Sequence, residues 1–224
     1  MLFRRRSILS LASRVATCID DSAIAVVREK YSRFSRSDRP WIRFLDYRAE
    51  LAREAFRCHK FSLDGSAPGR VLDLGTGPGY FLLACRELGH EAIGLDIADP
   101  ILGDIAAAVG ADRRICRVTP ELSGLPVRGP FDLVTGFQIA FDNTYVTTDH
   151  PPWSTDDWRQ FLVRVCNDIL SPSGRLILTG VRSCLPKSPY YCGGTHRFLE
   201  AAGARVRKGC IELQNGAAVR SLLR

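Results

Sequence analysis

The chain has 224 residues, of which 46% are hydrophobic and 25% charged, and it carries a formal charge of +7. That suits one α/β domain with an appendage, and no run of roughly 18 apolar residues offers a membrane span. The charge is uneven: residues 1–60 hold 14 basic and 7 acidic side chains, whereas residues 61–224 hold 17 of each, so the whole excess lies in the N-terminal quarter.

The first six residues and the uncharged Ser7–Ser13 have the outline of a secretory signal, but the uncharged run ends after seven residues, at Arg14. An amphipathic helix with Ile8, Leu11, Val15 and Ile19 on one side is the preferred reading. A second helix runs to about Phe34, capped by Asp20, Asp21 or Ser22. Pro40 opens a third, from Trp41 to about His59, with Ile42, Phe44, Leu45, Leu51, Ala52, Ala55 and Phe56 roughly on a 3.6 repeat. The eight cysteines include no C-x-x-C, and no two lie closer than eight apart. They read as reduced core residues in a cytoplasmic protein, with Cys85, Cys116, Cys166 and Cys210 inside predicted buried elements, and neither a disulfide framework nor a metal site is expected.

Asp64–Gly69 is a turn-rich linker, which sets a boundary between an N-terminal helical extension (1–64) and a core (65–224). From Arg70 strands and helices alternate. Val71, Leu72 and Leu74 form a short apolar strand, ended by glycines at 75, 77 and 79. Tyr80–Leu88 reads as a helix stopped by Gly89. Strand two is 91–96, a helix lies near 100–109, and strand three is 114–118. Residues 119–126 are too short and too rich in Pro and Gly for a crossover helix. Strand four is 131–136, a long loop spans 137–154, and a helix covers about 155–170 with Ser154 or Thr155 as cap. Ser171–Gly174 turns into strand five, 175–179. A helix at 194–202 precedes a hairpin of 205–213 and 217–222 around Asn215-Gly216.

Strand, glycine turn and helix N-terminus make a nucleotide-cofactor site. The spacing is G-x-G-x-G, with Tyr80 where a dinucleotide fingerprint would end. Asp73, two residues before the first glycine, would repel a pyrophosphate and hold an ammonium. Asp96, 23 residues after Asp73 at the end of strand two, stands where an acidic residue accepts hydrogen bonds from ribose hydroxyls. Asp73-x-Gly75-x-Gly77-x-Gly79 with Asp96 resembles the first two motifs of the class I S-adenosylmethionine-dependent methyltransferases. Phe131-Asp132-Leu133-Val134 resembles that family's fourth strand, and Leu170-x-Pro172-x-Gly174-Arg175-Leu176 resembles its turn into the fifth.

The resemblance implies a doubly wound, seven-stranded, mostly parallel α/β sheet of order 3-2-1-4-5-7-6, with strand 7 antiparallel and helices on both faces. It also implies S-adenosylmethionine as cofactor. Cofactor contacts are expected from Asp73, Gly75, Thr76, Gly77, Gly79, Tyr80, Asp96 and Ile97. Thr119 stands where many members carry an acidic or amide residue for the adenine. Phe137 and Gln138 would line the methionine end. His150 is the candidate base, sharing its loop with Asp142, Tyr145 and Asp149, and His196 is second choice. Asp149–Trp153 resembles the D-P-P-Y signature of enzymes that methylate base amines, but it falls about thirteen residues after strand four and reads as a turn. Trp153 and Tyr145 could stack on an acceptor.

The function expected is methyl transfer to a small-molecule acceptor, with the basic N-terminal helices as a lid. A nucleic-acid methyltransferase and an inactive cofactor-binding scaffold are the alternatives. A nicotinamide oxidoreductase is opposed by Asp73 and Tyr80.

Overall fold

A computed structural model describes residues 2–139, 153–179, 193–207 and 210–216. The chain divides into two compact units, residues 1–69 with 76–115 and residues 70–75 with 116–224.

In the first unit, α1 (Leu2–Thr17) buries Leu11 and Val15, with Ile19 just beyond it, as the amphipathic pattern predicts. Helix α2 (Asp21–Lys30) is capped by Asp20, whose carboxylate accepts the Ser22 N–H at 2.8 Å. The single helix predicted from Trp41 to His59 is instead two pieces. Pro40–Leu45 is a 3-10 turn, the backbone breaks at Asp46, and α3 is Tyr47–Lys60. The apolar repeat spans both pieces, which is why it reads as one helix. Phe56 is half exposed, and its expected place inside is taken by Glu50 and Glu54, each 5% exposed. These buried carboxylates are held by Arg53 (2.6 Å) and by Arg57, which donates to both oxygens of Glu54 at 2.6 and 2.8 Å.

The same unit holds α4 (Tyr80–Glu87), β2 (Glu91–Asp96), α5 (Pro100–Ala108) and β3 (Arg113–Ile115). Strand β3 is shorter than predicted, and Cys116 beyond it is only partly buried. Helices α1 and α3 pack on α4, and α2 packs on α5, so the N-terminal helices share one core with these elements. Lys30 and the Tyr31 hydroxyl both reach Asp104 of α5, at 2.6 and 2.7 Å. His90 is buried and structural: Nδ1 accepts the Gly69 N–H, so Nε2 carries the proton and donates to the Leu63 carbonyl.

The second unit starts with β1 (Arg70–Leu74), which pairs in parallel with β4 (Phe131–Phe137). Between them, residues 119–126 form turns, as expected. Helix α6 (Thr155–Arg164) opens on a capping box between Ser154 and Asp157 and runs into a π-helical turn, Val165–Ile169. Trp153, expected to be free to stack on an acceptor, packs on Trp158 and Phe161 with ring centroids 5.1 and 5.3 Å away. Strand β5 (Leu170–Thr179) begins five residues earlier than predicted, because the Ser171–Gly174 stretch is drawn into the sheet through a bulge opposite Phe131–Leu133. After α7 (Gly193–Ala201), β6 (Arg205–Arg207) and β7 (Cys210–Gln214) pair antiparallel. The hairpin therefore folds within the stretch read as one strand, and residues 217–222 lie outside the described residues. Cys210 is only partly buried. Asn215 is buried and donates to the Cys166 and Ser171 carbonyls at 2.9 Å each.

The strand order is β3-β2-β1-β4-β5-β7-β6, with β7 antiparallel to β5. Among the described residues no helix is long and apolar enough to cross a membrane.

Candidate cofactor site

In the first unit the glycine turn leads into α4. Gly77 and Gly79 have φ of +60° and +88°, which favour glycine, and Gly79 is the N-cap. The turn is fastened to β2 at two points. The Thr76 N–H donates to the Leu95 carbonyl at 3.1 Å. The Thr76 side chain is buried against Gly94, where an added Cβ would fall 2.4–2.7 Å from it. Its carbonyl accepts the Gly79 N–H at 3.1 Å, and its buried hydroxyl has no hydrogen-bond partner among the described residues.

Asp96 ends β2 and accepts two backbone N–H groups, from Gly77 (Oδ2, 2.6 Å) and Ile97 (Oδ1, 2.7 Å). Burial pushes its carboxyl above the usual range, opposed by those two bonds and by the Arg113 guanidinium, while Asp99 pushes the same way as burial. Ile97 is 38% exposed beside it. Tyr80 is buried, and its hydroxyl donates to the Phe44 carbonyl of the 3-10 turn at 2.6 Å. Desolvation, then the Glu50 charge, push its pKa up. Its proton is thus committed to the N-terminal segment.

In the second unit Asp73 is 2% exposed and accepts the Thr135 hydroxyl at 2.7 Å. Gly75 has φ of +68°, and the Ile139 side chain lies 3.0–3.2 Å from where its Cβ would stand. Phe137 is buried. Gln138 is exposed, takes a left-handed φ of +60°, and donates its N–H to the Thr179 carbonyl at 2.7 Å. Thr119 has a buried hydroxyl oxygen with no hydrogen-bond partner among the described residues. His150, Asp142, Tyr145 and Asp149 lie outside the described residues. His196 stands on α7 with Nε2 3.3 Å from Glu200, one turn away.

Three contributors were missed. Thr135 faces Asp73 through the β1–β4 register, Phe44 meets Tyr80 from 36 residues away, and Arg113 reaches both Gly77 and Ile97. None has a local motif to mark it.

A glycine turn at the end of a central parallel strand, with a carboxylate on the next strand, defines a Rossmann-like cofactor-binding protein. The family model described as "Methyltransferase domain" matches residues 43–224. The chain belongs to this family, the class I S-adenosylmethionine-dependent methyltransferases. It is 33% identical over 118 residues to the ribosomal protein L11 methyltransferase of Thermus thermophilus, covering 51% of this chain and 39% of that one. It is 24% identical over 165 residues to the ubiquinone biosynthesis O-methyltransferase of Nitrosococcus oceani, covering 65% and 64%. The chain thus spans less than two-thirds of the length of either relative. Among solved structures, the Burkholderia thailandensis 1,6-didemethyltoxoflavin-N1-methyltransferase with bound S-adenosylhomocysteine has a TM-score of 0.47 at 19% identity, covering 87% of this chain and 88% of that one.

Proposed function

We propose that the chain transfers the methyl group of S-adenosylmethionine to a small-molecule acceptor. The observation that carries the cofactor is the Gly77–Asp96 bond. In a dinucleotide site the turn's N–H groups face a pyrophosphate. Here the Gly77 N–H is already satisfied by a carboxylate, which would repel phosphate and leaves acceptor capacity for hydroxyls. When bound, S-adenosylmethionine supplies an electrophilic methyl on a sulfonium. Asp96 would hold the ribose, Ile97 the adenine edge, and the Gly75–Gly79 backbone the amino-acid end. Titration calorimetry tests this: S-adenosylmethionine and S-adenosylhomocysteine bind, NAD does not, and Asp96→Ala or Gly77→Val abolishes binding. NAD binding with the sulfonium compound excluded would overturn the reading.

Residues 1–64 act as the lid on the acceptor. Support comes from the Tyr80–Phe44 bond, which ties the 3-10 turn to the first residue after the glycine turn. Trp41 and Phe44 stack in that turn at 6.0 Å, with the Arg43 guanidinium over both rings. Tyr80→Phe should raise the KM for acceptor more than the Kd for S-adenosylhomocysteine. Equal loss in both counts against a lid. His150 is proposed as the base that takes the acceptor's proton.

A second reading, a nucleic-acid acceptor, is favoured by one feature. Arg33 and Arg39 lie over Phe34 and Arg43 over Trp41, and among the described residues none of the three has a carboxylate partner. Binding of single-stranded RNA that weakens steeply with salt would select it.

A further inference from the structure

Arg113, the first residue of β3, bridges the glycine turn and the segment after β2. Its Nε donates to the Gly77 carbonyl at 2.9 Å and its Nη2 to the Ile97 carbonyl at 2.5 Å. Gly77 and Ile97 are also the two residues whose N–H groups bind Asp96. The two segments therefore share a closed circuit: their N–H groups point to one carboxylate and their carbonyls to one guanidinium. The planar fork of arginine fits two divergent carbonyls, which a lysine ammonium meets as a point charge. Arg113 can reach both because β3 runs parallel to β2, with Gly94 opposite Arg113 and Asp96 opposite Ile115.

We infer that Arg113 is a positioning residue for the cofactor, fixing the glycine turn and the segment after β2 at the spacing that the ribose and adenine require. The inference rests on the cofactor reading above and adds a residue to it. Arg113 also acts on Asp96 through charge. Three things bear on that carboxylate besides its burial: the Gly77 and Ile97 N–H groups, the Arg113 cation, and the Asp99 carboxylate, which opposes the cation. Removing the cation leaves burial and Asp99 less opposed, so Asp96 protonates at higher pH.

The experiment is calorimetric titration of the full chain with S-adenosylhomocysteine between pH 5 and 8, for wild type, Arg113→Gln and Arg113→Lys, with apo thermal melts alongside. Arg113→Gln should bind about tenfold or more weakly at pH 8, from the loss of two charge-assisted bonds. Its acid-side loss of affinity should also set in at higher pH than in wild type. Arg113→Lys should lose affinity at pH 8 but keep the wild-type acid limb, because the charge remains. Should the glutamine variant fail to fold, the lysine variant carries the test, since unchanged affinity there removes the need for the fork. Lower melting temperatures with unchanged affinity and an unmoved acid limb would overturn the inference. Failure of wild type to bind would instead sink the cofactor reading beneath it.

Discussion

Gly94 is the position where a single methyl group tests the packing beneath the cofactor turn. In Gly94→Ala the new Cβ falls 2.4, 2.6 and 2.7 Å from Thr76 Cγ2, Cβ and Oγ1. Carbon atoms in contact sit about 3.5–4.0 Å apart, so the overlap is roughly an ångström. Rotating Thr76 moves Cγ2 and Oγ1 but not Cβ, so the turn's backbone must shift. That backbone is pinned by the Thr76 N–H on Leu95 and the Gly79 N–H on the Thr76 carbonyl, both 3.1 Å. Overpacking typically costs about 1–3 kcal/mol, and the upper end applies where no rotamer relieves it. With a urea m-value of about 2–3 kcal/mol/M, the midpoint should fall by about 1 M. Equilibrium urea unfolding measures this directly. Thr76→Gly removes all three clashing atoms, so adding it to Gly94→Ala should recover part of the loss, whereas Thr76→Ala leaves the Cβ contact and should recover less. A Gly94→Ala variant within about 0.5 kcal/mol of wild type would refute the reasoning, because that is the range of surface substitutions.

Two further outcomes follow from the buried acids. Asp96 has its folded pKa raised above the unfolded value, so its contribution to stability is full below the unfolded pKa and is lost as pH rises through the folded one. Affinity for S-adenosylhomocysteine should run the other way, falling as pH drops through the same window, since on the proposed reading it is the ionised carboxylate that would accept the ribose hydroxyls. Urea midpoints and calorimetric Kd values across pH 4–8 should show the two opposed trends in the wild type, and Asp96→Asn should flatten the trend in the urea midpoints. Thr135→Val removes the hydroxyl that Asp73 accepts at 2.7 Å and keeps the side-chain shape. It should cost about 1.5–3 kcal/mol of stability as a lost bond to a buried charge, and an unchanged melting temperature would show that Asp73 does not rely on Thr135.

What the sequence makes legible here is what repeats locally. β1, the glycine turn, α4 and β2 lie within two residues of their expected bounds, because a run of buried apolar residues and a set of glycines leave few alternatives. The third N-terminal helix was misread because its apolar spacing continues across the break at Asp46, and nothing in that spacing marks the 3-10 turn before it. The apolar repeat also gives no sign that Glu50 and Glu54 are buried, since burial of a carboxylate depends on whether an arginine one turn away can pair with it, as Arg53 and Arg57 do. Residues 205–213 read as one strand because Asn215-Gly216 carries the stronger hairpin signal, yet that stretch holds β6 and β7, and Asn215 donates to the Cys166 and Ser171 carbonyls.

The site divides along the same line, and the division bears on how its selectivity arises. Asp96 is visible in the sequence as a carboxylate at the offset expected of a ribose acceptor. The structure adds that this carboxylate occupies the Gly77 N–H, and that Arg113 takes the carbonyl of the same residue. On the proposed reading, selection against phosphate would therefore come from the turn's own hydrogen bonding as well as from the charge near it. Neutralising the charge alone should then fail to create a phosphate site. In Asp96→Asn the amide can still accept the Gly77 N–H through its oxygen, so the variant should lose the sulfonium cofactor without gaining NAD. Gain of NAD binding by Asp96→Asn would show that repulsion, and not the occupied N–H, kept phosphate out.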